Sequence, residues 1–124
     1  MFNIIYKDES YKIIGCLFDV YNNLGSGFSE IVYKDALEYE FKKHNIPFKR
    51  EKEYNVAYKA IILPHKFYAD FVVFDKIILE IKSAENLNDK HIAQCINYSK
   101  VSNCKLAILA NFHKDLLDHK RIVL

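Results

Sequence analysis

Residues 69–83, ADFVVFDKIILEIKS, form two apolar runs around a short turn. Runs of β-branched and aromatic residues on either side of a turn predict an antiparallel hairpin that is buried in a sheet. Asp70, Glu80 and Lys82 interrupt this pattern. Burying an ion costs on the order of several kcal/mol unless the ion is paired or bound to a metal. The hairpin therefore predicts either a structural ion pair or a divalent-cation site.

The length of the turn decides whether the two carboxylates face each other. A two-residue turn would place Asp70 on the opposite face of the hairpin from Glu80. Its central residues would be Asp-Lys, which is a poor type I′ turn because neither residue favours positive φ as Asn-Gly does. A three-residue turn over residues 74–76 pairs Val73 with Ile77 and sets Asp70 opposite Glu80. We therefore predict the three-residue turn, or a bulge with the same effect.

The remaining periodicity predicts the element order α-α-β-β-β-α-β. Apolar residues at helical spacing predict helices over residues 8–24, 28–44 and 89–101. Apolar runs and alternation predict strands over residues 48–58, 61–74, 76–83 and 104–111, and KRIVL at 120–124 is a candidate last strand. The early strands should form an antiparallel meander. A crossover through the third helix should then give a mixed α/β sheet flanked by helices.

Apolar spacing also predicts which helix faces are buried. The stripe of the first helix comprises Tyr11, Ile14, Leu17, Phe18, Tyr21 and Leu24. The stripe of the second helix comprises Phe28, Ile31, Val32, Leu37 and Phe41. Both stripes should pack against the sheet.

Length and composition predict one ordered domain over residues 1–124. The chain is 51% hydrophobic, which suffices to fill a single core. No apolar run approaches the roughly 18 residues of a membrane span, and MFNIIYKDES lacks the pattern of a secretory signal. Cys16, Cys95 and Cys104 are an odd number in apolar surroundings, which indicates reduced thiols and a cytoplasmic location. A cluster held by four thiolates of one chain is excluded.

The net charge of +2 does not by itself indicate a nucleic-acid partner. Charge is unevenly spread, however, because KKHNIPFKREK at residues 42–52 carries five Lys or Arg against one Glu. This basic stretch is either a solvated turn and strand edge or a rim that faces phosphates.

Two further motifs accompany the hairpin. GFSEIVY at residues 27–33 has the pattern Gly-x-x-Glu-x-x-Tyr, and QCINY at residues 94–98 has the pattern Gln-x-x-x-Tyr. Together with an Asp followed ten residues later by Glu-x-Lys, this set resembles the GxxExxY family, in the RecB-like branch of the PD-(D/E)XK nuclease superfamily. The resemblance extends from the first helix to KRIV. It implies a restriction-endonuclease-like αβββαβ core with an extra N-terminal helix. One departure is Ala69, which stands in place of the Pro of the superfamily motif.

The resemblance implies four catalytic residues. Glu30 would be the acidic residue on the helix, Asp70 and Glu80 the central metal ligands, and Lys82 the catalytic lysine. The three carboxylates and the backbone carbonyl of Ile81 would hold Mg²⁺ or Mn²⁺, cations that prefer oxygen ligands. Water activated by the metal would hydrolyse the phosphodiester bond.

The resemblance also implies substrate-binding roles for Gln94, Tyr98, Tyr33 and Gly27. Gln94 and Tyr98 are spaced i, i+4, so both can reach one point. Gly27 leaves room for a ligand or another backbone, while packing alone is an open alternative for Tyr33. The five histidines form no pair of ligands at helical spacing, and His91 is expected to face solvent.

The leading hypothesis is a Mg²⁺- or Mn²⁺-dependent nuclease that acts on nucleic acid, with DNA favoured over RNA. A noncatalytic nucleic-acid- or protein-binding module that retains the fold is the alternative, and a purely structural ion-pair cluster is a third. A homodimer or a protein partner is left open, and no membrane partner is expected.

Overall fold

The computed structural model describes residues 4–113 and 115–124, so residues 1–3 of the predicted domain and Lys114 lie outside the described residues. The helices are α1 (Lys7–Leu24), α2 (Glu30–Lys43) and α3 (Asp89–Ser102). The strands are β1 (Phe48–Tyr58), β2 (Ile61–Val73), β3 (Ile77–Lys82), β4 (Leu106–Phe112) and β5 (Leu117–Val123). The predicted element order is confirmed, and the candidate last strand forms as β5.

The five strands form one mixed sheet in the order β1-β2-β3-β4-β5. The first three strands are a consecutive antiparallel meander. Strand β4 runs parallel to β3 because α3 carries the chain back across the sheet, and β5 is antiparallel to β4. The α/β class, the mixed sheet and the extra N-terminal helix agree with the expected restriction-endonuclease-like architecture.

Helices cover both faces of the sheet. The layer formed by α1, α2 and one sheet face buries Ile13, Cys16, Leu17, Val20, Tyr33, Leu37, Phe41, Ile46, Phe71, Val73, Ile77, Leu79, Ile81, Leu106, Ile108, Ala110, Phe112 and Leu117. The layer on the α3 side buries Ala69, Val72, Ile78, Cys95, Tyr98, Cys104, Ala107 and Leu109. The central strands β3 and β4 are therefore covered on both faces, which explains their nearly continuous apolar sequence.

The buried face of α1 is rotated relative to the prediction. Tyr11 and Phe18 were expected in the core but are 79% and 41% exposed. The residues of α1 that are buried are Ser10, Ile13, Cys16, Leu17 and Val20. Small and branched side chains on this face allow close approach to α2 and the sheet, whereas an aromatic ring on the flank tolerates contact with water.

The start of α2 also differs from the prediction. The helix begins at Glu30, so Phe28 precedes it and is 44% exposed, with its ring edge-on to Tyr33 at 6.1 Å between centroids. Ile31 lies on the outer side of the first turn and is 54% exposed. The prediction that these two apolar residues are buried is wrong, because their positions precede or face away from the stripe that reaches the sheet.

The predicted turn between β2 and β3 is confirmed. Val73 pairs with Ile77, which leaves residues 74–76 as the turn. Phe74 and Asp75 take positive φ values of 56° and 57°. Such a conformation is unusual for a Phe. It is held by a 2.8 Å hydrogen bond from the Phe74 N–H to the Pro47 carbonyl and by packing of the Phe74 ring on the core.

The three cysteines are buried, and none forms a disulfide, as predicted. Among the described helices, none is both long enough and apolar enough to cross a membrane.

Candidate active site

Asp70 and Glu80 meet where strands β2 and β3 separate. The antiparallel register ends with Phe71 opposite Leu79, and its continuation sets Asp70 opposite Glu80, as the turn predicted. The Asp70 N–H donates to Glu80 Oε2 at 2.7 Å, and the Ile81 N–H donates to Asp70 Oδ2 at 2.8 Å. The two carboxylates thus accept hydrogen bonds from the backbone of the facing strand and hold each other in place.

The Glu80 carboxyl is the most perturbed acid of this region. Its residue is 2% exposed. Burial, followed by the charge of Asp70, raises the pKa of Glu80 to about 8, although Lys82 and Lys34 partly oppose this. Without a bound cation, Glu80 is therefore largely protonated at neutral pH. Two facing carboxyls of this kind have the donor chemistry that suits a divalent cation, whose charge would favour the ionised form.

A lysine that the sequence analysis missed also reaches this pair. The Lys34 ammonium on α2 lies 3.1 Å from Asp70 Oδ1 and also forms an ion pair with Glu51. The Lys34 side chain is 13% exposed. Burial lowers its pKa, but the bonds to Glu51 and Asp70 outweigh burial and leave the pKa above its usual value. The only signal in the sequence was the i, i+4 spacing from Glu30, which places both side chains on one face of α2.

Glu51 was likewise missed. Arg50 pairs with Phe71 and Lys52 pairs with Ala69, so Glu51 lies opposite Asp70. Its φ of 53° departs from strand geometry. Glu51, Asp70 and Glu80 therefore occupy corresponding positions on three adjacent strands.

Glu30 joins the start of α2 to the end of β3. Its Oε2 accepts a 3.2 Å hydrogen bond from the N–H of Ser83, the residue that follows Lys82. The Ser83 hydroxyl donates to the Phe28 carbonyl at 3.2 Å. These bonds bring the predicted helix acid to the strand end that carries the predicted catalytic lysine.

The predicted metal ligands are only partly assembled. Within residues 4–113 and 115–124, one group of three potential ligands has all its donor atoms within 4.8 Å of one another, and it lies elsewhere, at Asp19, Glu40 and His44. The structure thus brings Asp70 and Glu80 together but does not bring Glu30 equally close.

Lys82 follows Glu80 by two positions on β3, so both side chains leave the same face of the strand. Its charge lowers the pKa of Glu80, against the effect of burial. The Lys82 ammonium forms no salt bridge within 4.0 Å among the residues that the structure describes. The site therefore contains one lysine bound to its acids, Lys34, and one lysine without an ion pair, Lys82. The Ile81 carbonyl remains a predicted ligand.

Comparison with known proteins identifies the family. The sequence matches the PD-(D/E)XK nuclease superfamily over residues 7–122. The chain belongs to this superfamily. The crystal structure of SSO0001 has the same fold, with a TM-score of 0.62 at 19% identity. The match covers 95% of this chain but 60% of SSO0001, so the chain spans about three fifths of that protein's length. No curated protein shows significant similarity to the sequence.

On this member of the superfamily, α3 presents Gln94 and Tyr98 on one face. The Gln94 side-chain amide donates to the Tyr98 hydroxyl at 3.4 Å. Tyr98 is 7% exposed and its ring is edge-on to Phe67. Burial, followed by the charges of Glu80 and Asp70, raises the pKa of Tyr98 to about 12. The predicted pair thus lies on the carboxylate side of the sheet, and Gln94 is its more accessible member.

Tyr33 does not occupy a position that substrate can reach. It is completely buried and stacks on Phe112 with 4.1 Å between ring centroids. Its hydroxyl donates to the Gly25 carbonyl at 2.7 Å and accepts from the Phe28 N–H at 3.3 Å. The structure therefore favours the packing alternative over the predicted substrate contact, because Tyr33 closes the loop that precedes α2.

Gly27 lies in that loop with a φ of +100°, a conformation that strongly favours glycine. A side chain added there would meet nothing within 4 Å. Gly27 and Ser83 line a cavity of about 190 Å³. The space predicted beside Gly27 is therefore present.

Asn111 is a second residue that the sequence analysis missed. It is 2% exposed on β4, next to Lys82 in the parallel register. Its amide accepts from the Ala84 N–H and donates to the Ala84 carbonyl, both at 2.9 Å. Asn111 thereby fixes the segment that leaves the site. The signal was the single polar residue at the end of an apolar strand.

The basic stretch is largely neutralised by nearby acids. Lys42 contacts Glu38 at 3.4 Å, and Lys49 contacts Asp75 at 3.7 Å. Arg50 contacts Asp35 at 2.7 Å. These pairs favour the solvated-edge interpretation over a phosphate-facing rim.

His91 serves the helix it begins. Its Nδ1 accepts from the Asn88 N–H at 3.2 Å, and the Asn88 side chain in turn accepts from the His91 and Lys90 N–H groups. Asn88 is thus the N-cap, as predicted, and His91 is half-buried where solvent exposure was expected.

Proposed function

We propose that the chain is a metal-dependent nuclease that hydrolyses phosphodiester bonds of nucleic acid. One observation carries this proposal: Asp70 and Glu80 face each other across diverging strands, with Lys82 two residues beyond Glu80. Membership of a nuclease superfamily supports the same reaction class. We assign Mg²⁺ or Mn²⁺ as the cofactor, because carboxylate oxygens with a backbone carbonyl suit these cations.

Each side chain has a role in this proposal. Asp70 and Glu80 hold the divalent cation, with the Ile81 carbonyl beside them and Glu30 as a more distant acid. A divalent cation there supplies Lewis-acid chemistry, lowering the pKa of water and offsetting phosphate charge. Lys82 stabilises negative charge on the attacking oxygen or the phosphate.

The remaining assignments are narrower. We place the chain in the GxxExxY family of the RecB-like branch, because its Gly27–Tyr33 and Gln94–Tyr98 motifs accompany the acidic pair. Gln94, with Tyr98 behind it and Gly27 at the loop, would position substrate, which we expect to be DNA rather than RNA. We expect a single domain over residues 1–124 in the cytoplasm, with a homodimer or a protein partner left open.

The second candidate is a noncatalytic binding module that retains the fold. The observation that favours it is the ammonium of Lys34, which already contacts Asp70 and partly neutralises the acidic pair. A cluster balanced in this way needs no cation for stability.

Manganese titration followed by cleavage assays tests the proposal. Mn²⁺ is titrated by calorimetry into the wild type, Glu80→Gln and Lys82→Met, and each protein is then assayed on single- and double-stranded DNA and RNA. We expect Glu80→Gln to lose both Mn²⁺ binding and cleavage. Lys82→Met should bind Mn²⁺ and lose cleavage.

Glu53→Gln and Lys105→Met are matched controls, because both residues are exposed and lie on neighbouring strands or loops. Wild-type binding without cleavage of any substrate would favour the module. Absence of Mn²⁺ binding in the wild type would reduce the cluster to an ion pair.

A further inference from the structure

A second set of metal-binding side chains lies where α1 and α2 pack together. The donor atoms of Asp19, Glu40 and His44 are all within 4.8 Å of one another. Asp19 belongs to α1, whereas Glu40 and His44 lie at the C-terminal end of α2. Glu30 is at the opposite end of α2, so at 1.5 Å per residue this set is roughly 20 Å from the acid of the candidate active site.

The spacing within the set suits a tetrahedral metal. Glu40 Oε2 and His44 Nε2 are 3.4 Å apart. Bonds of about 2.0–2.1 Å from Zn²⁺ to carboxylate oxygen and imidazole nitrogen, at a tetrahedral angle, place two ligand atoms about 3.4 Å apart. The i, i+4 spacing of Glu40 and His44 lets one helix face supply both ligands without rearrangement of the backbone.

A buried thiol next to the set is an independent observation. Cys16, Asp19 and His44 line one cavity of about 280 Å³, which has room for an ion and water. Cys16 is 3% exposed, and among the described residues its thiol has no hydrogen-bond partner and no disulfide. Cys16 and Asp19 are spaced i, i+3 on α1, so both side chains lie on the side that faces α2.

A protonated His44 would make an ordinary ion pair with Glu40, and this is the simplest competing explanation. That pair leaves the second carboxylate and the thiol without a role, and the neutral imidazole that predominates above pH 7 gives no ion pair at all. Lys12 lines the same cavity and supplies one positive charge. A divalent cation would satisfy both acids and the thiol together.

We propose that the α1–α2 junction is a Zn²⁺ site formed by Asp19, Glu40 and His44, with the Cys16 thiolate as the fourth ligand. The combination of thiolate, imidazole and carboxylate donors selects Zn²⁺ over Mg²⁺, which prefers oxygen ligands alone. The site links the two helices of one layer. It is separate from the proposed nuclease centre and does not depend on it.

Cobalt substitution tests this site directly, because Co²⁺ replaces Zn²⁺ and has a visible spectrum. Co²⁺ is titrated into metal-free wild-type protein, and Zn²⁺ is then added as competitor. We expect an intense tetrahedral d–d spectrum with a thiolate-to-cobalt charge-transfer band, both abolished by Zn²⁺. His44→Ala should weaken Co²⁺ binding at least about tenfold, since even outer-shell partners of metal ligands contribute this much. Cys16→Ser should remove the charge-transfer band.

Two controls keep the outcomes separate. His119→Ala removes a histidine outside the cavity, and Glu80→Gln removes the central acid of the nuclease centre, so both should retain the wild-type Co²⁺ spectrum. His44 is exposed, and circular dichroism should show that His44→Ala remains folded. An octahedral spectrum, or a tetrahedral spectrum unchanged by His44→Ala, would overturn the site. A tetrahedral spectrum without a charge-transfer band would overturn the assignment of Cys16.

Discussion

Replacement of Glu80 by Gln should stabilise the metal-free protein at neutral and alkaline pH. Burial and the neighbouring Asp70 raise the pKa of Glu80 from 4.5 to about 8. The folded state therefore binds a proton that the unfolded state has already released in this range. Stability from this group is complete below pH 4.5 and is lost as the pH rises towards 8. Gln removes the titration and keeps a carbonyl oxygen that can accept from the Asp70 N–H.

The structure sets the size of this effect. Each pKa unit corresponds to about 1.4 kcal/mol, so the rise from 4.5 to about 8 gives an upper limit of about 5 kcal/mol. Relaxation and water entry at the strand ends reduce such penalties in real proteins. We expect the free energy of unfolding of the wild type to fall by about 2–4 kcal/mol between pH 5 and pH 8, relative to Glu80→Gln.

Urea unfolding measured by circular dichroism at several pH values from 5 to 8.5, in a chelator, provides the assay. The difference in unfolding free energy between Glu80→Gln and wild type should increase with pH. Glu53→Gln is the control, because Glu53 is exposed on β1, and its difference from wild type should not depend on pH in this way. Parallel pH profiles for wild type and Glu80→Gln would refute the argument, because they would mean that Glu80 ionises as readily folded as unfolded.

Three further substitutions test other parts of the structure. Lys34→Met should tighten Mn²⁺ binding by about tenfold, because the cation no longer competes with an ammonium at Asp70, and unchanged affinity in calorimetry would contradict this. Tyr33→Phe should lower the free energy of urea unfolding by about 1–2 kcal/mol, since it leaves the Gly25 carbonyl without its donor. Asn111→Ala should cost about 2–3 kcal/mol in the same assay by removing both bonds to Ala84, and a loss below 0.5 kcal/mol, about the scatter of surface substitutions, would show that water replaces them.

Local patterns were sufficient to predict the hairpin at the centre of the site. The strand period of two and the poor fit of Asp-Lys to a two-residue turn together fixed Val73 opposite Ile77, and hence Asp70 opposite Glu80. The crossover that makes β4 parallel to β3 was also predictable, because a helix separates two buried strands. These features depend on neighbours in sequence and on general rules of chain connection.

Features that depend on tertiary geometry were not predictable. Lys34 reaches Asp70 only because α2 crosses the sheet at a particular place, and Glu51 faces Asp70 with a φ that its residue type does not favour. The buried side of α1 depends on which face lets helices approach closely, so apolar spacing alone placed Tyr11 in the core. Ligand sets shared between two helices, such as Asp19 with His44, have no signature in either helix alone.

The charges of the candidate active site suggest why it tolerates so many ionisable groups. With Glu80 protonated, the carboxylates of Asp70 and Glu51 balance the ammonium groups of Lys34 and Lys82, so the metal-free cluster is neutral. Bound Mg²⁺ or Mn²⁺ would favour ionised Glu80, and three carboxylates would then face two lysines and a divalent cation. The cluster would thus gain one net positive charge on binding the metal, equal and opposite to the charge of one phosphodiester. On this argument, substrate affinity should depend on metal occupancy, and Lys34 contributes to both states without touching the substrate.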